Sequence, residues 1–107
     1  HQASPEPTAE KAREVNHGSY AEQAAARGDH ETAVRLLFLD GADHLERNKV
    51  VANAATTSTS TIRRLSTDTE FLDRFDEIAY GGSDAESKDV SQARMAWQRL
   101  KNRTWSR

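Results

Sequence analysis

The chain has no cysteine, a single methionine, only two prolines and no long hydrophobic run. Each shortage narrows what the protein can be. Without thiols there are no disulfides, no zinc-thiolate centre and no cysteine nucleophile. The longest apolar run, Leu36-Leu37-Phe38-Leu39, is closed by Arg35 and Asp40. It falls far short of the roughly 20 residues that span a bilayer. No signal-peptide pattern is present. A net charge of -2 argues against a generic nucleic-acid binder. What remains is a chain of 107 residues, 36% hydrophobic and 30% charged. That is enough for one domain with a modest core and a heavily charged surface. The chain opens His1-Gln2-Ala3-Ser4-Pro5 without an initiator Met, and we expect it to be a piece of a longer protein.

Helix signals account for most of the chain. Both prolines, Pro5 and Pro7, stand in an opening stretch with almost nothing apolar. Residues 1–18 are therefore expected to be a flexible lead-in or linker, with a possible weak helix over Thr8 to Asn16. A single helical domain is expected over residues 19–104. Ser19-Tyr20-Ala21-Glu22 fits a capping box and predicts a helix start at Ser19. Gly28 stops that helix and Asp29 caps the next, which is expected from about His30 to Arg47. Ala33, Leu37, Gly41 and Leu45 recur there at four-residue spacing. Gly41 in mid-helix costs about 1 kcal/mol relative to Ala, and close approach of a neighbouring helix would compensate.

Beyond Arg47 the character changes. Asn48 to Thr61 reads as a loop whose hydroxyl run, Thr56 to Thr61, ends in a cap. A short helix from Ser60 to Leu65 follows. Thr67-Asp68-Thr69-Glu70 is a second capping box and opens a helix over 68–80. Phe71, Leu72, Phe75 and Ile78 lie on one face of it, and Gly81-Gly82 ends it. Ser87 is expected to cap a last helix, 87–102, carrying Val90, Ala93, Trp97 and Leu100 on one face. The sum is an all-α bundle of four to five helices. Its 19–47 segment forms a helical hairpin that also looks like a tetratricopeptide-type pair. Its core draws on Ala24, Leu37, Leu45, Ile62, Leu65, Phe71, Phe75, Ile78, Val90, Ala93, Trp97 and Leu100.

Candidate chemistry is sparse. His30 and His44, fourteen residues apart on one helix, stand about 21 Å apart and cannot share a metal. Asp40, Asp43, His44 and Glu46 form the densest ligating group. Asp40 and His44 at i and i+4 can bind zinc, but the His-Glu-x-x-His spacing is missing, and a solvated helix face is the plain alternative. Seven carboxylates crowd residues 68–86 with Arg74 their only cation, while the last twenty residues are basic apart from Asp89. Helices of opposite charge imply pairing at their edges, and an acidic patch that recruits a basic partner is the functional alternative. Trp105 with Arg103 and Arg107 could contact a membrane surface. The Thr56–Thr61 run could accept a phosphate at a helix N-terminus. Tyr80 reads as a lid on the core with its hydroxyl at the surface. There is no Gly-x-Ser-x-Gly and no Gly-rich phosphate loop, so no catalytic residue, cofactor or small-molecule substrate is assigned.

With these residues in place, the chain resembles a bacterial family catalogued as domain of unknown function 4129. Three pieces in the same order carry the likeness, and they cover about Tyr20 to Leu100. They are the Ala-rich helix with its Gly28-Asp29 turn and Ala33-Val34-Arg35-Leu36-Leu37; the Thr-led segment Thr57 through Ile62-Arg63-Arg64-Leu65; and Phe75-Asp76-Glu77-Ile78-Ala79-Tyr80-Gly81-Gly82. Family members often carry Glu inside the Thr-led helix, where this chain has Ser60. The resemblance implies the soluble C-terminal part of a bacterial membrane protein, placed after one or more transmembrane helices, on the cytoplasmic side. Some relatives carry a transglutaminase-like domain in the same polypeptide. The function expected on these grounds is a non-catalytic interaction domain, not an enzyme, with an unidentified and membrane-associated protein partner.

Overall fold

The described part of the protein has five α-helices and one 3-10 turn. In chain order these are α1 (Ala9–Ala26), α2 (His30–Arg47), the 3-10 turn Ala54–Thr56, α3 (Thr59–Leu65), α4 (Glu70–Ala79) and α5 (Ser87–Asn102). The structure is a computed structural model that describes residues 9–66 and 68–103, with side chains from His17 onward. No strand occurs among the described residues, and the all-α class expected from the sequence is the one observed.

The start of α1 differs from the sequence expectation. Ser19-Tyr20-Ala21-Glu22 does not open a helix, because α1 is continuous from Ala9 through Gly18 and Ser19. A capping box is a local pattern only. Here the Ala, Glu, Lys and Arg residues of 9–14 are good helix formers, and propagating that helix through Asn16 and Gly18 costs less than nucleating a new one. Ala21 and Ala24, 1% and 0% exposed, dock the same helix on the core. The Ser19 hydroxyl accepts instead from the Gln23 side-chain amide (3.4 Å). Residues 1–8 of the expected lead-in lie outside the described residues.

The turn into α2 follows the reading closely. Asp29 N–H donates to Ala24 O (2.9 Å) and Gly28 N–H to Ala25 O (3.0 Å). Gly28, at φ +83, supplies the left-handed residue this closure needs. Asp29 then caps α2 by accepting from Thr32 N–H (3.3 Å). One residue thus finishes one helix and begins the next. The two helices pack side by side, bringing Gly18 against Asp40 and His17 against Asp43.

The end of α2 uses the same closure with a less suitable residue. Lys49 N–H bonds Glu46 O (2.9 Å) and Val50 N–H bonds Leu45 O (2.8 Å), with Lys49 at φ +61. An L-residue with a Cβ pays about 1–2 kcal/mol to sit there. Lys49→Gly is therefore expected to stabilise the protein by about 1 kcal/mol net of the entropy glycine adds to the unfolded chain. Urea unfolding checks this, and a lower midpoint for the variant would refute it.

Two further helix starts are corrected. α4 begins at Glu70 with Thr69 at its N-cap and no side-chain cap bond. Thr67 lies outside the described residues, and the turn before α4 is held by Ser66, whose hydroxyl accepts from Asp68 N–H (3.1 Å). In α5, Ser87 is the first helical residue, not the cap. Glu86 is the N-cap, and its N–H donates to the Asp89 carboxylate (2.8 Å). A carboxylate three residues in satisfies an orphan amide better than a hydroxyl and complements the helix dipole.

α2 is the central element, in contact with α1, α4, α5 and the 3-10 turn. Leu45, Ile62 and Leu72 are its neighbourhood's fully buried large side chains. An aromatic layer crosses the core: Phe38 stacks on Phe75 (4.6 Å), and Trp97 meets Phe38 and Phe71 edge-on (5.4 and 5.5 Å). Trp97 lies directly over Gly41, where a Cβ would come within 2.1 Å of Trp97 Cε3. The close approach inferred from a mid-helix glycine is that of α5. Of the expected core, Leu65 and Phe75 are only partly buried. Leu65 ends a short helix, and Phe75 lies at the rim of the aromatic layer.

Candidate functional site

The ligating group read on α2 does not converge. The Asp40 carboxylate pairs with Lys101 of α5. Asp43 meets His17 Nε2 of α1 at 3.2 Å. Glu46 reaches forward to accept from Ala54 N–H (2.8 Å), capping the 3-10 turn. Each side chain thus joins α2 to a different neighbour. Among the described residues no three His, Cys, Asp or Glu side chains gather at metal-ligand distance. His30 opens α2 and His44 lies in its last turn, too far apart to share a ligand.

His44 is half-buried, and its pKa lies below the ordinary 6.5. Desolvation contributes most, followed by the cations of Lys101 and Arg47; a hydrogen bond to the Lys101 backbone and the charge of Asp40 oppose them. The unfolded chain therefore binds a proton more readily at this site than the folded protein does. The contribution of neutral His44 is fully present above pH 6.5 and is lost as pH falls below that toward its lower folded value. Stability is expected to drop between about pH 7 and pH 5, and His44→Gln to flatten that slope. Thermal unfolding of both proteins across this range is the measurement, and equal slopes would sink the assignment.

The other charged cluster lies where α4 meets α5. Its floor is a pair joining the two exceptions in the charge pattern, the lone cation of residues 68–86 and the lone acid of the last twenty. Arg74 Nε and Nη2 donate to the two Asp89 oxygens (2.8 and 3.1 Å), its Nη1 to Glu77 (2.9 Å), and Nη2 also to the Asp84 carbonyl (2.8 Å). The Asp89 side chain is only 3% exposed. Burial pushes its carboxyl pKa up. The Arg74 hydrogen bonds, the Glu86 amide and the charges of Arg74 and Lys88 together outweigh burial and hold the carboxyl below its usual range. The same contacts, led by the Asp89 hydrogen bonds, raise the Arg74 pKa. This node fixes the 80–86 turn and with it the angle between the helices.

Above the node is an open cleft of about 730 Å³, lined by Glu70, Asp73, Glu77 and Glu86 beside Lys88 and Gln92. Beneath it, the recess among Phe38, Phe71, Phe75 and Trp97 measures about 10 Å³, room for about one water at most. The aromatic layer is closed, whereas the carboxylate-lined cleft is open to solvent. At the C-terminal end of α4, Tyr80 is 80% exposed. The ring is no lid on the core, as the sequence had implied: position 80 lies off the helix face that carries Phe71, Phe75 and Ile78. Tyr80 is the C-cap, and Gly82 at φ +77 turns the chain away. The ring keeps one edge-on contact, with Phe75 at 6.4 Å.

Sequence reasoning expected the acidic and basic thirds to pair along α4 and α5. Arg99 with Asp68 (2.6 Å) does so. Arg94 instead reaches Glu22 of α1 through two bonds of 2.8 Å, and Asp73 and Asp76 are held by Arg63 of α3 (2.5 and 3.4 Å). Arginines also close helix ends: Arg35 donates to Ala79 O (3.2 Å) and Arg103 to Leu65 O (2.5 Å). Arg94, Arg99 and Lys101 of α5 and Arg103 just after it are thus engaged within the fold. Trp105 and Arg107, the proposed membrane contact, lie outside the described residues.

The hydroxyl run behaves as loop and cap. Ser58 caps α3 by accepting from Thr61 N–H, Thr57 donates to Asn53 O (2.7 Å), and Thr59 donates to Asp76 (3.1 Å). Among the described residues no helix is long and apolar enough to cross a membrane. No family model, no curated protein and no solved structure matches the chain.

Proposed function

We propose that this chain is a non-catalytic interaction domain that docks a protein partner through the turn joining α4 to α5. One observation carries the reading: Tyr80 is 80% exposed at the glycine-terminated end of α4. Tyrosine is a favourable docking anchor, since it offers a large amphipathic surface and has few side-chain torsions to immobilise when a partner covers it. The ionisable groups that could have served a reaction are occupied in joining helices, as the Asp40, Asp43 and Glu46 contacts illustrate. On the resemblance to the family of domain of unknown function 4129, we further propose that the domain is the soluble C-terminal part of a bacterial membrane protein. It would then face the cytoplasm, with a membrane-associated partner.

The test is photo-cross-linking from position 80. A photoreactive phenylalanine analogue replaces Tyr80, and the folded protein is irradiated in bacterial membrane extract. One discrete adduct is expected, absent when the probe is moved to exposed Gln98 on α5 and competed away by unlabelled wild-type protein but not by Tyr80→Ala. Failure of the wild type to compete, or equal competition by Tyr80→Ala, would overturn the proposal. Tyr80→Ala itself is expected to change stability by no more than about 0.5 kcal/mol, because so little of the ring is buried.

A further inference from the structure

We draw no further inference here: the strongest candidate, the open cleft between α4 and α5, is a cluster of carboxylates in which Glu70, Asp73 and Glu77 already hold partners within the chain, and nothing in the structure shows what covers it.

Discussion

Gly41→Ala is expected to lower stability by about 2 kcal/mol and Tm by roughly 10 °C, although alanine is the better helix former. In an isolated helix the change would gain about 1 kcal/mol. Here the new methyl would come within 2.1 Å of Trp97 Cε3 and 2.5 Å of Cδ2 and Cζ3. The indole cannot give way cheaply. It is 2% exposed and wedged edge-on between Phe38 and Phe71. Relief requires moving α5 away from α2, which loosens the aromatic layer. Overpacking of a close-packed interior costs about 1–3 kcal/mol and more for severe overlap, which outweighs the propensity gain. The decisive measurement is a double-mutant cycle by urea unfolding with Trp97→Leu. In that background the methyl has room, and Gly41→Ala should become neutral or stabilising. A stabilising Gly41→Ala in the wild type would mean that the helices do not approach as described.

Asp89→Ala is expected to cost about 3 kcal/mol at neutral pH. The substitution removes the acceptor for two Arg74 bonds and for the Glu86 amide that starts α5. It leaves the guanidinium over an apolar recess, although Arg74 keeps Glu77 and the Asp84 carbonyl. Asp89→Asn retains one acceptor and is expected to fall between alanine and wild type. The pH dependence separates the ion pair from mere packing. The folded pKa of Asp89 lies below the ordinary 3.8, so the unfolded chain takes up the proton first as pH falls. The stabilisation is present above about pH 4 and is lost as pH drops through the folded pKa. The gap between wild type and Asp89→Asn should therefore be full near neutrality and close in acid. A gap that persists unchanged at the acid end would assign the effect to packing alone.

Several features of this architecture are legible in the sequence. Gly28-Asp29 and Gly81-Gly82 mark helix boundaries through groups that bond backbone a few residues away, and such bonds depend on little else. The apolar positions of α2, α4 and α5 follow a helical period, so their burial follows from the residues. Gly41 announced a close neighbour without naming it. The capping pattern at Ser19 misled for the complementary reason. A cap motif states that a helix can start there, while the residues around it and the surface it docks on decide whether it does. Tyr80 shows the same dependence at the other end. The sequence implied a lid on the core, and at the C-cap of α4 the ring is 80% exposed instead.

The sequence alone settles that this chain is helical, where most of its helices end and which faces are apolar, because those properties are set by interactions within a turn or two of each residue. The tertiary structure decides which charges meet. Arg94 finds Glu22 across 72 positions, and Lys101 finds Asp40 across 61. Composition had pointed both cations toward the acidic third of the chain. Ion pairs act over a few ångströms of space, and that distance is set by how α1, α2 and α5 pack, not by separation along the chain. The same packing leaves Tyr80 and the carboxylate-lined cleft facing solvent, so the candidate docking surface belongs to the arrangement of the helices and to no single segment.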